Sequence, residues 1–358
     1  MEKTKNFDSI TLLGDVCLSN YENIIKLDDT FSIFDGVKEI FVSSAVFANL
    51  ECVFPTEGAK PNLNKFSLKA AECLLPQLKV FDGLCLANNH IEDYGIRSVL
   101  HTQKLLENTG IPNFGYGNDI NQARAPYFFE MDGKKIAILS YSCLTTNGEN
   151  YAGQSRPGVA ALAPEYVSED SDKARKLGAE LVIVSIHWGI ENTHYPTEDQ
   201  IAVAHRIIDE GADFIWGHHS HSIQGMELYK DRWITYGLGN FLFTDISIEV
   251  SPKGTVKEAV LKQEPQNLES IGIKLGIDHA NNSFEIKQKY FFSNKNSFLP
   301  VLQNSEQQSK KFDLLCKNIN KYVSKKSFPP KARLEIRKHF NGHDYQNVYI
   351  NPSIYDVT

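Results

Sequence analysis

Several residues that could perform chemistry follow short apolar runs of the sequence. The segment "FIWGHHSHSIQG", residues 214–225, places His218, His219 and His221 within four positions directly after such a run. Histidines two residues apart at a strand end or in a tight turn can face one site, as metal ligands do. The side chains that come directly after four other runs are Asp15, Asn49, Glu51, Asn88, Asn89, His90 and His187.

This set of side chains is a mixture of carboxylates, amides and imidazoles. Nitrogen and oxygen ligands of this kind suit Mn²⁺, Zn²⁺ or Fe, whereas thiolates are typical of structural zinc. Two divalent ions about 3.5–4 Å apart would need roughly six to eight ligands, with one carboxylate bridging them. The sequence therefore predicts a site for two divalent metal ions and leaves their identity open.

Each residue taken alone also has a structural explanation. Asp15 can cap a turn, and Asn88 and Asn89 are typical of turns with a left-handed backbone. His187 can be a hydrogen-bonded histidine of the core. Because the pattern recurs after five apolar runs, we favour one shared site over several unrelated structural roles.

The elements that must position these residues are short strands separated by helices. Several apolar runs are continuous rather than alternating, which is typical of strands covered on both faces. Ligand sites in such sheets form beyond the carboxyl ends of the strands, so residues far apart in sequence can converge. The runs are ITLLG (10–14), GLCLA (83–87), IAILSYS (136–142), LVIVSIH (181–187), FIWG (214–217) and WITYGLG (233–239).

Two helices and one turn complete the prediction of an α/β sandwich. Segment 197–211 begins with Thr197 and Gln200 in capping-box spacing and ends on a glycine, as does the helical pattern of 96–110. The Asp-Gly pair at 132–133 predicts a hairpin, so the sheets should be mixed rather than purely parallel.

Composition limits the classes of protein that the chain can be. With 358 residues, 42% of them hydrophobic, it can bury a large core, which excludes a disordered or fibrous protein. A formal net charge of −7 argues against a surface built to hold nucleic acid, so no nucleic-acid partner is expected. Six cysteines without a C-x-x-C pair predict buried free thiols. No apolar run reaches eighteen residues and no secretion signal opens the chain, so we expect a cytoplasmic location.

The C-terminal part differs from the rest of the chain. We predict a main domain over 1–300 and a basic, mostly helical extension over 301–358. Residues 309–340 contain ten basic and two acidic side chains, a local charge of +8 that leaves −15 for the remainder. This segment is either a solvated helix face or a contact for anionic lipid, an anionic polymer or polymer-synthesis machinery at the membrane periphery.

The ordered motifs "LLGDV", "ANLE", "LANNHIEDYG", "SIHWGIE", "GADFIWGHHSH" and "YGLGNFLF" add a resemblance. From about residue 8 to about residue 245, the chain resembles the CapA family of bacterial capsule and poly-γ-glutamate synthesis proteins, part of the calcineurin-like metallophosphoesterase superfamily. The resemblance implies a four-layer α/β/β/α sandwich with mixed sheets and a dinuclear metal centre. It implies Asp15 and His221 as ligands of the first metal, Glu51 as the bridge, and Asn89, His187 and His219 as ligands of the second.

By the same resemblance His90 is the catalytic histidine, which stabilises the transition state or protonates a leaving group. Cys17 stands where the superfamily has a histidine, which leaves the first metal with a ligand fewer or more weakly bound. Glu51 in place of aspartate adds one methylene to the bridge. The side chains expected to line the same site are Cys17, Asn49, Asn88, Glu191, His218 and Asn240.

Three functions follow from this resemblance and the residues that support it. The first is a metal-dependent phosphomonoesterase or phosphodiesterase that acts on an anionic sugar-phosphate, nucleotide or lipid-linked intermediate of envelope or capsule synthesis. The second is a metal-binding accessory factor of capsular polymer or poly-γ-glutamate assembly that hydrolyses no phosphoester. The third and weakest is a nuclease-like phosphodiesterase, which the acidic body disfavours.

Overall fold

A computed structural model describes residues 6–22, 32–62, 66–146, 150–250, 257–295, 298–303 and 305–325. Its strands are β1 (Asn6–Phe7), β2 (Ile10–Val16), β3 (Ala45–Leu50), β4 (Gly83–Cys85), β5 (Asn113–Phe114), β6 (Tyr116–Gly117), β7 (Tyr127–Met131), β8 (Lys134–Ser142), β9 (Gly158–Val159), β10 (Leu181–His187), β11 (Phe214–His218), β12 (Met226–Tyr229), β13 (Arg232–Thr235), β14 (Asn240–Leu242), β15 (Ile246–Val250), β16 (Lys257–Leu261), β17 (Glu269–Asp278), β18 (Ser283–Ser293) and β19 (Val301–Leu302). Its α-helices are α1 (Lys38–Ser43), α2 (Ile96–Asn108), α3 (Ile120–Ala123), α4 (Pro164–Lys176), α5 (Glu198–Asp209) and α6 (Glu306–Lys325). Short 3₁₀ helices cover Asp35–Val37, Glu72–Val80, Leu144–Thr146 and Pro265–Leu268.

Two large mixed sheets form the centre of the molecule. One has the strand order β1-β7-β8-β10-β11-β13-β12, and the other has the order β19-β18-β17-β2-β3-β4-β5, with β14 paired to β2. Strands β8, β10, β11 and β13 run parallel in the first sheet, and β2 to β5 run parallel in the second. Antiparallel strands flank both parallel sets.

Alternation of side chains along the strands creates four layers. In β8, Ile138 belongs to the core between the sheets, whereas Leu139 belongs to a second core on the outer face of its sheet. Helices α4 and α5 cover that outer face through Val167 and Ile207, and α2 contributes Val99 to the larger core. The predicted four-layer α/β/β/α sandwich with mixed sheets is confirmed.

Local signals in the sequence explain most element ends. The capping box of Thr197 and Gln200 is formed at the start of α5, and α2 covers most of the predicted 96–110. The β7–β8 hairpin turns at Asp132 and Gly133, with φ angles of 50° and 75°. The predicted strand over 233–239 is wrong in its second half, because β13 ends at Thr235 and the chain then crosses to the other sheet as β14.

Helix α6 packs on the main domain. Its apolar side chains at helical spacing are buried: Phe312, Leu315, Ile319 and Tyr322. Lys311 lies 2.9 Å from Glu269, so part of the basic surface is neutralised locally. The basic stretch beyond Lys325 lies outside the described residues, and the division at residue 300 stays a prediction. Within the described part of the chain, no helix combines the length and apolar character that crossing a bilayer requires.

The cysteines largely follow the expectation of buried free thiols. All six are free, and four are buried: Cys17, Cys52, Cys85 and Cys143. The expectation is wrong for Cys73, which is exposed, and Cys316 is half-buried. Cys73 lies in the 3₁₀ helix Glu72–Val80, whose buried positions are Leu74 and Leu78, so its side chain falls on the outer face.

Candidate metal centre

The candidate site lies where the carboxyl ends of parallel strands from both sheets meet. The eight-stranded sheet supplies residues at or after the ends of β2, β3 and β4, and the seven-stranded sheet supplies residues at or after the ends of β10 and β11. Asp15 and Asn49 lie within the last residues of their strands rather than beyond them. A shift in the β2–β3 register between Leu12 and Asp15 marks an irregularity of the kind that re-aims side chains beside functional sites.

Three groups of side chains bring potential metal-ligand atoms within 4.8 Å of one another. The first is Asp15, Glu51 and His221; the second is Glu51, His187 and His219; the third is Glu191, His219 and His221. Glu51 belongs to both of the first two groups, as a bridging carboxylate would. These two groups lie side by side and contain five of the six predicted ligands.

The surroundings of the Glu51 carboxylate suit a bound cation better than they suit a carboxylate without one. It is fully buried, and neither oxygen accepts a hydrogen bond from any described residue. Its Oε1 atom lies 3.4 Å from Nε2 of His187 and 3.8 Å from Nε2 of His221. Burial, and then the nearby Asp15 carboxylate, raises the pKa of Glu51 well above its usual range. A bound cation would reverse this shift, because it stabilises the ionised carboxylate.

The buried histidines are held in the neutral form that binds metal. Burial, and then the adjacent His219, lowers the pKa of His187 well below its usual range. Burial lowers the pKa of His219 to about 3. His187 Nε2 lies 2.8 Å from Oδ1 of Asn89 and 3.1 Å from Nδ1 of His219, so these three predicted ligands of the second metal are in contact.

The turn after β11 holds two histidines in a strained backbone. His219 and His221 have φ angles of 85° and 53°, in the left-handed region that costs a non-glycine residue energy. The amide of His219 lies 3.3 Å from Oδ2 of Asp15 and donates to it, while Nδ1 of His221 lies 2.9 Å from Oδ1 of Asn240. Burial raises the pKa of Asp15, and His221 offsets part of this increase.

Two buried asparagines, Asn49 and Asn88, orient Asp15 and the turn after β4 through their side-chain amides. The Asn49 amide nitrogen donates to Oδ1 of Asp15 at 2.8 Å and lies 3.4 Å from Nδ1 of His187. The Asn88 amide donates to Oδ1 of Asn49 at 3.1 Å and to the Leu50 carbonyl at 2.8 Å. Both are fully buried, so their side chains fix Asp15 and the turn after β4 relative to each other.

His90 is held by a residue that sequence reasoning missed. Its Nδ1 atom lies 2.7 Å from Oδ2 of Asp93, which also accepts a hydrogen bond from the Leu68 amide at 2.6 Å. The amide of His90 donates to Oδ1 of Asn88 at 3.1 Å, so the turn that presents Asn89 also presents His90. The sequence contains a signal for this pair, because His90 and Asp93 are three residues apart in the short segment "NNHIEDYG".

The remaining lining residues differ in how they face the site. Glu191 is about half exposed, with a carboxylate oxygen 3.9 Å from Nε2 of His219. His218 lies 3.7 Å from Asp15 and turns Nε2 toward Ser185 at 3.1 Å, and burial lowers its pKa to about 3. Cys17 belongs to none of the three ligand groups found among the described residues; its sulfur lies 3.3 Å from the Ser19 hydroxyl.

The model of the bacterial capsule synthesis protein PGA_cap family matches residues 9–245, about two thirds of the chain. The chain belongs to this family. Among similar proteins, the capsule biosynthesis protein CapA of Bacillus anthracis is 30% identical over 246 residues, which are 66% of this chain and 59% of that protein. The PGA biosynthesis protein CapA of Bacillus subtilis strain 168 is 31% identical over 242 residues, 66% of this chain and 63% of that protein.

The PGA_cap match covers every candidate ligand from Asp15 to His221 and excludes α6. The chain spans about three fifths of the length of these two curated relatives. Among solved structures, a novel phosphatase from Mycoplasma pneumoniae is similar in fold, with a TM-score of 0.49 and 14% identity over 85% of this chain and 97% of that chain. At this level of likeness, the function has to be argued from the residues of the chain itself.

Proposed function

We propose that this PGA_cap protein is a phosphoester hydrolase that depends on two divalent cations. Asp15 and His221 would hold the first, Glu51 would bridge, and Asn89, His187 and His219 would hold the second. The observation that carries the proposal is the Glu51 carboxylate, which is buried, accepts no hydrogen bond from the described residues and is shared by two ligand groups. A carboxylate left in this state costs free energy unless a cation satisfies it.

The charge of such a centre indicates the substrate class. Two divalent cations against the Asp15 and Glu51 carboxylates leave a positive pocket, which suits a phosphate or another anionic group. We propose as substrate a sugar-phosphate, a nucleotide or a lipid-linked phosphate of capsule or envelope synthesis. Membership of a capsule synthesis family supports this choice.

The chain's own residues then have distinct tasks. When bound, divalent cations would polarise the phosphoryl group and make water a better nucleophile. Asp93 holds Nδ1 of His90, which fixes the imidazole plane and leaves Nε2 as the nitrogen that can give a proton to the departing oxygen. Asn49 keeps Asp15 oriented, and the buried surroundings exclude bulk water from the ligands.

The test measures metal and turnover on the same sample. Protein purified without chelator is analysed for metal by mass spectrometry and assayed with aryl phosphate mono- and diesters in added Mn²⁺. We expect His90→Asn to keep its metal and lose about 10²–10⁴-fold in kcat. His101→Asn is the matched control, because His101 also pairs with a carboxylate, Glu72 at 2.8 Å, but on the surface.

Ligand variants separate metal binding from chemistry. We expect His187→Ala and Asn89→Ala to lower metal content sharply, because His187 belongs to the second ligand group and Asn89 contacts it at 2.8 Å. Normal hydrolysis by His90→Asn would remove His90 from the mechanism. Absence of metal from the wild-type protein would refute the proposal as a whole.

A second candidate is an accessory factor of polymer assembly that binds metal without hydrolysing phosphoesters. The observation in its favour is Cys17, which stands in place of a histidine and lies outside the ligand groups, so the first cation would have few protein ligands. Bound metal without turnover on any ester would support this candidate. The basic segment 309–340 would then contact an anionic polymer or the membrane periphery.

A further inference from the structure

Two buried thiols lie beside the candidate metal centre without taking part in it. Cys17 follows Asp15 by two residues at the end of β2, and Cys52 directly follows Glu51 after β3. The two strands are parallel neighbours, and the Glu51 amide donates to the Val16 carbonyl at 2.8 Å, so the chain segments continue side by side beyond the strands. Both thiols are fully buried.

Hydrogen bonds hold each of the two sulfurs beside the chain segment that follows β2. The Leu18 amide donates to Sγ of Cys52 at 3.4 Å, which places the Cys52 sulfur beside the residue that directly follows Cys17. Cys17 in turn donates to the Ser19 hydroxyl at 3.3 Å, which donates to the Lys69 carbonyl at 2.6 Å. Both sulfurs are therefore held beside the same short segment, at Leu18 and Ser19.

We infer that Cys17 and Cys52 form a site of reversible oxidation to a disulfide, with a small hydroperoxide as the oxidant. One peroxide molecule accepts two electrons and the two thiol protons, the S–S bond forms, the O–O bond breaks, and two water molecules result from hydrogen peroxide. A dithiol reductant reverses the reaction by exchange. Burial makes the reaction depend on local opening of the chain, so it should be slower than oxidation of an exposed thiol.

The bond would disturb the two carboxylates. A disulfide fixes the two sulfurs about 2.05 Å apart, and both cysteines must move to reach this distance. Since Cys17 and Cys52 are two and one residues from Asp15 and Glu51, the ligand positions shift as well. The expected loss of metal rests on the proposed function, whereas formation of the disulfide does not.

The experiment treats the full-length protein with hydrogen peroxide and digests it without reduction. We expect mass spectrometry to find a Cys17–Cys52 cross-linked peptide that disappears after dithiothreitol. Oxidation of the exposed Cys73 shows that the peroxide reacted with the protein. Cys85, which is buried against the Ser185 hydroxyl, should form no cross-link. Metal content is measured before oxidation, after it and after reduction, with Cys52→Ala treated in parallel.

The outcomes separate the two proposals. A cross-link together with a reversible loss of at least half of the bound metal, absent in Cys52→Ala, supports the inference. Oxidised Cys73 without a Cys17–Cys52 cross-link overturns it. A cross-link that leaves metal content unchanged overturns the effect on the metal centre. A protein that never holds metal but still forms the cross-link refutes the proposed function and leaves the disulfide site standing.

Discussion

Replacing Glu51 by methionine should stabilise the metal-free protein while removing its metal. Methionine is close to glutamate in size, and it removes two buried carboxyl oxygens that no described residue satisfies. A buried polar group in this state costs about 1–3 kcal/mol, so we expect the metal-free variant to gain roughly that free energy of unfolding. Most core substitutions have the opposite sign.

The matched control is Glu227→Met. Glu227 is also buried, but its two oxygens accept hydrogen bonds from His205 and Tyr236, each at 2.7 Å. This substitution leaves the fully buried Tyr236 hydroxyl without its acceptor, so we expect a loss of about 1–3 kcal/mol. Metal content should stay at the wild-type level, because Glu227 lies outside the ligand groups.

The assay is urea unfolding of all three proteins after chelator treatment, repeated with Mn²⁺ added. Metal at one hundred times its Kd should raise wild-type stability by about 2.7 kcal/mol per site, and should raise Glu51→Met far less. The reasoning is refuted if Glu51→Met loses as much stability as Glu227→Met without metal. It is equally refuted if Glu51→Met keeps the wild-type metal content.

Four further predictions concern the same region. Asp93→Asn should keep the metal but lower kcat on aryl phosphates, because it weakens the hydrogen bond that orients His90. The loss should reach at most the roughly 10²–10⁴-fold that acid–base catalysis contributes. An unchanged pH–rate profile would contradict this prediction. Metal affinity should fall as the pH is lowered, since a cation must displace the proton from Glu51, whose pKa burial raises; metal titrations that show tighter binding at lower pH would exclude it. Because burial raises the pKa of Glu51 in the folded protein, the metal-free protein should lose stability as the pH rises through that pKa. Gly14→Ala should destabilise the fold by about 1–3 kcal/mol or more, because an added Cβ would lie 1.9 Å from the Gly239 carbonyl oxygen; a thermal melt at the wild-type temperature would show that β2 and this segment can separate freely.

The sequence predicted which side chains converge better than it predicted what surrounds them. Continuous apolar runs identified β2, β10 and β11, and the rule that ligand sites form at strand ends predicted the convergence of Asp15, His187 and His219. The strand order could not be predicted, because pairs such as β14 with β2 depend on contacts between segments more than 200 residues apart.

The direction of individual side chains is the second feature that could not be predicted from the sequence. Cys17 occupies a motif position, but whether its sulfur turns toward Ser19 or toward the ligands depends on the irregular end of β2. The hydrogen bond between His90 and Asp93 depends on the exact turn after β4, which residue types alone do not specify. A single sequence therefore indicates which residues converge here but leaves the hydrogen bonds that support them undetermined.

The division of the candidate ligands between two sheets has a consequence for how the molecule folds. Asp15, Glu51 and Asn89 arrive on one sheet, and the three histidines arrive on the other, so neither half alone offers a complete binding site. A chain that has formed only one sheet has little means of capturing a cation tightly. If the protein binds metal as proposed, capture of the ion would be a late event in folding, and the bound ion would hold the two sheets together.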